Sequence, residues 1–196
     1  MLNAHRLDQL PADTGLEVAF AGRSNAGKSS AINALTRQKS LARTSKTPGR
    51  TQQIVIFQLE GDRRLADLPG YGYAKVPEKL RDHWKKIMQE YFNQRRSLAG
   101  VVLMMDVRHP LKPFDVQMLE WCSAFQVPCH VLLTKADKLK RGPAASSLLK
   151  VEKHLPGNAT IQLFSSKTRD GVDKLIQRLR GWLEISQSKV ENRKDG

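Results

Sequence analysis

The chain of 196 residues carries 33 Lys and Arg against 19 Asp and Glu, a formal net charge of +14, which sets the pI near 10.1. Hydrophobic residues make up 40% of it, enough for one substantial core, so a disordered chain is excluded, and no apolar run has the length of a membrane span. The cationic excess points to a polyanionic partner, nucleic acid or a ribonucleoprotein before an anionic membrane surface, because clustered cations gain affinity by releasing phosphate counterions.

Residues 1–15 are polar and broken by Pro11 and Gly15, and read as a lead-in segment packed on the surface. The run 16–21, LEVAFA, reads as a buried strand, and a helix follows the glycine-rich stretch 22–29 as far as about residue 36. Residues 37–50 hold five basic residues and no acid, lack periodicity, and read as a functional loop. Alternation over 54–59, a turn at Gly61-Asp62 and the return 63–68 predict a hairpin. A loop containing Pro69, Gly70, Tyr71 and Tyr73 leads to a helix over 78–96, with Leu80, Trp84, Ile87 and Tyr91 on its core face. The strand VVLMMD ends at Asp106. Phe114, Met118, Trp121, Cys122 and Phe125 then mark a helix, 127–135 a strand, 144–154 a helix and 160–164 a strand. Val172, Leu175, Ile176, Leu179 and Trp182 mark the last helix. Strands alternating with helices predict an α/β fold of three layers, with a mainly parallel sheet of six strands, one of them an antiparallel edge strand. One domain over 1–185 and a charged, disordered tail over 186–196 are expected. Cys122 and Cys129 have no companions at metal-ligand spacing and read as core thiols. The N-terminus lacks a signal-peptide core and no lipidation signal is present, so a cytoplasmic protein with no membrane partner is expected.

Gly22-Arg23-Ser24-Asn25-Ala26-Gly27-Lys28-Ser29 fits G-x-x-x-x-G-K-[ST], a loop whose backbone N–H groups cradle a polyphosphate. Lys28 would reach the β- and γ-phosphates, and Ser29 would place its hydroxyl on Mg²⁺. The helix that opens through Ser30 would add its positive end. An ordinary glycine-rich turn is the alternative; strand, loop, Lys-Ser and helix in that order argue against it. Asp67-Leu68-Pro69-Gly70 closes the hairpin strand, where Asp67 can hold Mg²⁺ through water and the Gly70 N–H can approach a γ-phosphate. Thr134-Lys135-Ala136-Asp137 ends another strand. The Asp137 carboxylate can accept from guanine N1–H and N2–H₂, a donor pair that adenine lacks, and the Lys135 stem can cover the base plane. Ser165-Ser166-Lys167 follows the last strand, placing the Ser166 N–H where guanine O6 can accept from it.

In order and spacing these motifs resemble those of translation-factor-class GTPases. More narrowly, SKTPGRTQ, DLPGYGYA and the RHPLK after Asp106 are similar to the bacterial EngB (YihA) family of ribosome-assembly GTPases over nearly the whole chain. The resemblance implies a Ras-like P-loop GTPase domain that binds GTP and GDP, hydrolyses GTP with Mg²⁺, assists assembly of the large (50S) ribosomal subunit and works as a monomer. It assigns Thr51, beside Gly49, as the switch threonine that ligates Mg²⁺ when GTP is bound, together with Ser29 and Asp67. Thr134 stands where Asn is usual, which implies somewhat weaker nucleotide binding with specificity kept. Tyr71 occupies the position where many GTPases carry a water-orienting glutamine, so intrinsic hydrolysis by the set Lys28, Thr51, Gly70 and Asn25 should be slow. Asn25 resembles the asparagine that in related bacterial GTPases ligates K⁺; the alternative is that it only holds the loop by its own hydrogen bonds.

Arg37, Lys39, Arg43, Lys46 and Arg50 in the first switch, and Lys75, Lys79, Arg81, Lys85 and Lys86 after the second, predict a basic face for ribosomal RNA. Tyr71, Tyr73 and His83 are candidates to stack on unpaired bases there. Two rival readings are a module that senses GTP with negligible hydrolysis and a P-loop phosphotransferase; the second lacks an evident acceptor site or arginine-rich lid.

Overall fold

All seven residues of β2 (Leu16–Gly22) are buried, which marks this strand as the centre of a sheet covered on both faces. The computed structural model describes residues 1–37, 42, 53–71 and 78–191. Around β2 run β1 (Leu2–Ala4), α1 (Lys28–Thr36), β3 (Ile54–Gln58), β4 (Arg63–Asp67), α2 (Glu78–Gln94), β5 (Leu98–Asp106), α3 (Pro113–Ala124), β6 (Cys129–Thr134), α4 (Arg141–Glu152), β7 (Ala159–Leu163) and α5 (Val172–Glu191). The sheet order is β1-β3-β4-β2-β5-β6-β7. Strands β4, β2, β5, β6 and β7 are parallel neighbours, while β3 is antiparallel to β4 and β1 antiparallel to β3.

Alternation along β2 divides the core. Val18 and Phe20 join Ile32, Leu175 and Leu179 on the face of α1 and α5, whereas Ala19 and Ala21 join Met88, Tyr91, Met118 and Trp121 on the face of α2 and α3. The three-layer α/β architecture expected from the sequence is present, with seven strands in place of six. The added strand is Leu2–Ala4 of the lead-in, whose register on β3 pairs Leu2 with Ile56 and Ala4 with Ile54. Three residues are too few to carry a periodic signal, and what holds them is backbone pairing to an open edge. Helix α4 starts at Arg141, ahead of the expected 144, because Pro143 sits in the first turn, where no intrahelical N–H is needed. Cys122 and Cys129 are both buried. Among the described residues no helix is long and apolar enough to cross a membrane.

On β6, His130 is buried and pairs with Thr160 of the edge strand β7. The Gln162 amide N–H donates to Gly171 O at 2.7 Å, so Gln162 Oε1 faces His130 Nε2 at 3.0 Å. In the neutral ring Nε2 therefore donates and Nδ1, 2.7 Å from Thr160 Oγ1, accepts. Burial, reinforced by Arg178 and Lys174 against the opposing effect of Gln162, pulls the imidazole down to about 4. The unfolded ring takes up a proton below about 6.5 and the folded ring does not, so stability is full above that pH and falls between about 6.5 and 4. The expected loss is about 3 kcal/mol. Urea unfolding at pH 7.5 and 4.5 should show it, and His130→Asn should lose less over the same interval. An equal loss in both proteins would assign the acid sensitivity to other groups.

Candidate functional site

The parallel strands deliver their carboxyl ends to one edge of the sheet, the edge at which open α/β sheets bind ligands. Gly22 closes β2 there. A Cβ on it would lie 2.8 Å from Met104 O, so only glycine lets the chain turn out of the sheet at this point. The loop then runs through Asn25 at φ 62° and Gly27 at φ 97°, left-handed positions that turn the chain into α1, whose first residues are Lys28, Ser29 and Ser30. Ala26 N–H donates to Arg23 O at 2.9 Å and closes the turn.

Strand β4 lies beside β2 with Asp67 opposite Phe20, and the pairing continues as Leu68 N–H donates to Phe20 O at 3.0 Å. This register brings Asp67 Oδ1 to 3.1 Å from Lys28 Nζ, both side chains being mostly buried. The approach is ionic without alignment: among the described residues Asp67 Oδ1 is a buried oxygen with no hydrogen-bond partner. A buried carboxylate oxygen with no hydrogen-bond partner, at the end of the strand beside the loop, fits a hard cation or its bound water. Gly70 follows, and Tyr71 O accepts from Ser24 N–H at 2.9 Å, which lays this segment against the phosphate loop.

Strand β6 brings the third group. Thr134 Oγ1 donates to Ala26 O at 2.7 Å and lies 3.1 Å from Met105 O, so the hydroxyl that replaces the usual Asn still ties this strand end to the loop. Lys135 adopts φ 58° and its Nζ reaches Asn25 O at 2.7 Å and Asp106 Oδ2 at 3.0 Å. The Asn25 side chain itself is exposed. Asp106 is gripped by Arg108 through Nε and Nη2 at 2.9 and 2.7 Å. Burial alone would raise its carboxyl, but Arg108 and Lys135 hold it well below the usual carboxylate range. Beyond the loop, Ala136 N–H donates to Phe164 O at 3.1 Å and Ser165 Oγ to Asp137 Oδ1 at 2.8 Å, so the turn at Ser165, Ser166 and Lys167 is bolted to the Asp137 turn. Ser165 is fully buried, whereas Lys167 is exposed.

Tyr71 departs from expectation. Its side chain is buried, its hydroxyl donates to Asp115 Oδ1 at 3.1 Å, and its ring lies 5.3 Å from Trp84 and 5.7 Å from Phe114. Stacking of Tyr71 on an RNA base is therefore ruled out by the structure: the ring completes the aromatic core between α2 and α3. Burial, with Asp115 beside it, holds the phenol well above its usual value and keeps it a donor. Gly49, Thr51, Lys39, Arg43, Lys46, Arg50, Tyr73 and Lys75 lie outside the described residues, as do the side chains of Lys79 and Arg81. Lys86 and His83 are exposed on α2. No local pattern in the sequence marks Asp106 or Asp115 for a role; the one signal is the basic RHPLK segment that starts two residues after Asp106.

Residues 17–135 match the 50S ribosome-binding GTPase family. The chain is similar to the probable GTP-binding protein EngB of Xanthomonas campestris pv. campestris, with 56% identity covering 94% of this chain and 91% of that protein. It is similar to the corresponding Xylella fastidiosa protein at 55% identity, over 95% and 94% of the two chains. A crystal structure of a probable GTP-binding protein engB superposes with a TM-score of 0.70 at 23% identity, covering 86% of this chain and 99% of that one.

Proposed function

Because the chain belongs to the EngB family of GTP-binding P-loop GTPases, we propose that it works as a slow GTP-hydrolysing switch whose GTP form docks on ribosomal RNA during large (50S) subunit assembly. The observation that carries this reading is the run of contacts linking four motifs at one sheet edge. Asp67 faces Lys28, Thr134 bonds Ala26, Lys135 bonds Asn25, and Ser165 bonds Asp137. In this proposal the backbone from Gly22 to Gly27 cradles the phosphates, Lys28 neutralises the β- and γ-oxygens, and Asp137 with the Ser166 N–H reads guanine. Ser29 and Asp67, joined by Thr51 when GTP is present, would hold Mg²⁺, which when bound offsets charge on the β- and γ-phosphates. In this proposal the Asn25 side chain, which is exposed, ligates K⁺. On that reading, turnover in KCl exceeds turnover in NaCl at equal ionic strength; equal rates would return Asn25 to a purely structural role.

Slow hydrolysis is supported by Tyr71. With its hydroxyl on Asp115 and its ring in the aromatic core, it cannot orient a water at the γ-phosphate, so a partner must complete the site. The same observation favours the second reading, a GTP sensor with negligible hydrolysis. Single-turnover hydrolysis with and without large subunits separates them: stimulation by subunits fits the switch, and no hydrolysis in either case fits the sensor.

The net charge of +14 supports a polyanionic partner. Sedimentation with large subunits should be stronger with a GTP analogue than with GDP. It should also fall steeply between 50 and 200 mM salt, by about three orders of magnitude if six phosphates are engaged. Equal pelleting of both nucleotide forms would remove the switch from the proposal.

A further inference from the structure

Lysine is a poor platform for a base unless something fixes it, because its ammonium sits on a flexible four-carbon stem. At Lys135 two anchors do so. Asn25 O accepts from Nζ at 2.7 Å, and Asp106 Oδ2 lies 3.0 Å from the same nitrogen. The acid is brought there by the sheet: Asp106 is the last residue of β5 and pairs in register with Thr134, and Val107 N–H donates to Thr134 O at 3.0 Å to hold the two strand ends together. Its other lone pairs are taken up by Arg108, whose backbone N–H and Nε reach Oδ1 at 3.1 and 2.9 Å and whose Nη2 reaches Oδ2 at 2.7 Å. The carboxylate is thereby oriented by three hydrogen bonds from Arg108, with Oδ2 left 3.0 Å from Lys135 Nζ.

We propose that Asp106 is a positioning residue for nucleotide binding: it pins the Lys135 ammonium against the phosphate loop, so that the lysine stem lies across the base site before nucleotide arrives. The inference rests on reading Lys135 and Asp137 as the base-contacting pair. Preorganisation of this kind raises affinity by removing the ordering cost from the binding step, and it acts on GDP and GTP alike because it touches no γ-phosphate. A role confined to the turn after β5, where His109 N–H also donates to Asp106 O at 2.9 Å, would not pass through Lys135.

Release of fluorescent GDP from the full chain tests this, measured for Asp106→Ala, Asp106→Asn, Lys135→Met and the double variant Asp106→Ala/Lys135→Met. Loss of a charge-assisted contact should speed release about tenfold or more in Asp106→Ala. Asp106→Asn, which keeps a neutral acceptor and the turn, should fall between it and the unsubstituted protein, and it carries the test should the alanine variant not fold. The double variant should release GDP no faster than Lys135→Met alone, since both changes remove the same contact. Multiplicative effects in the double variant would overturn the proposal. So would unchanged release from Asp106→Ala and Asp106→Asn while Lys135→Met releases faster. Unchanged release from Lys135→Met itself would overturn the base-site reading together with the proposal.

Discussion

Exchanging Asp137 for Asn is expected to weaken GDP binding by about a hundredfold or more and to transfer preference to xanthosine diphosphate. Two charge-assisted hydrogen bonds are at stake, each worth about 1.5–3 kcal/mol. An asparagine in this position offers one acceptor and one donor where the carboxylate offers two acceptors. Guanine N1–H can still be met, but its amino group then faces an N–H. Xanthine, with a carbonyl at that ring carbon, restores the match. The scaffold should survive the exchange, since Ser165 Oγ donates to Asp137 Oδ1 at 2.8 Å and the amide oxygen can accept in its place. The Ser165 hydroxyl is itself fixed, accepting from Thr168 N–H at 3.2 Å, so Ser165→Ala should cost affinity only several-fold, through loss of carboxylate orientation. Competition binding with the guanine, xanthine and inosine diphosphates gives the answer. Undiminished preference for GDP in Asp137→Asn would remove this residue from base recognition.

The motifs that compose the site were legible because each is local. A phosphate loop needs its glycines and its Lys-Ser at fixed offsets, and Asp67 and Asp137 stand at strand ends that the apolar runs before them announce. What the sequence could not disclose is which distant side chains meet. Tyr71 reads as a surface aromatic in a loop, yet Trp84, Phe114 and Asp115, contributed by two different helices, draw it inward. The Asp106–Lys135 pair joins adjacent strand ends whose register no local pattern encodes. Leu2–Ala4 becomes a strand only because β3 leaves an edge for it. In each case the deciding term is tertiary pairing, which overrides local preference.

The same limit hid a buried ion pair among the described residues. Glu17 falls within an apolar strand and is fully buried. Its carboxylate accepts from Tyr91 Oη at 2.6 Å and from Arg95 Nε and Nη2 at 3.1 and 2.9 Å. Arg95 in turn donates from Nη1 to Pro11 O at 2.8 Å and lies 3.8 Å from Asp13, whose two oxygens accept from the backbone N–H groups of Arg96 and Ser97 at 2.8 Å each. Lead-in segment, β2 and the chain beyond α2 are thus fastened at one buried ion pair. Burial and the nearby Glu17 keep the Tyr91 phenol well above its usual value, so it remains a donor to the acid. Glu17→Ala would strand a guanidinium whose side chain is only 8% exposed, and breaking a buried pair from one side costs about 3–5 kcal/mol. Urea unfolding should register that loss, together with a drop in melting midpoint of about 8–15 °C for a chain of this size. Glu17→Leu combined with Arg95→Met and Tyr91→Phe should recover most of it, because neither a charge nor the Tyr91 hydroxyl, which donates to Glu17, is then left unpaired. The pair sits at the start of β2, about 17 Å along the strand from Gly22, so folded Glu17→Ala should bind GDP as the unsubstituted protein does. A loss under about 1 kcal/mol in Glu17→Ala would mean that water reaches Arg95 and that the pair is no fastening at all.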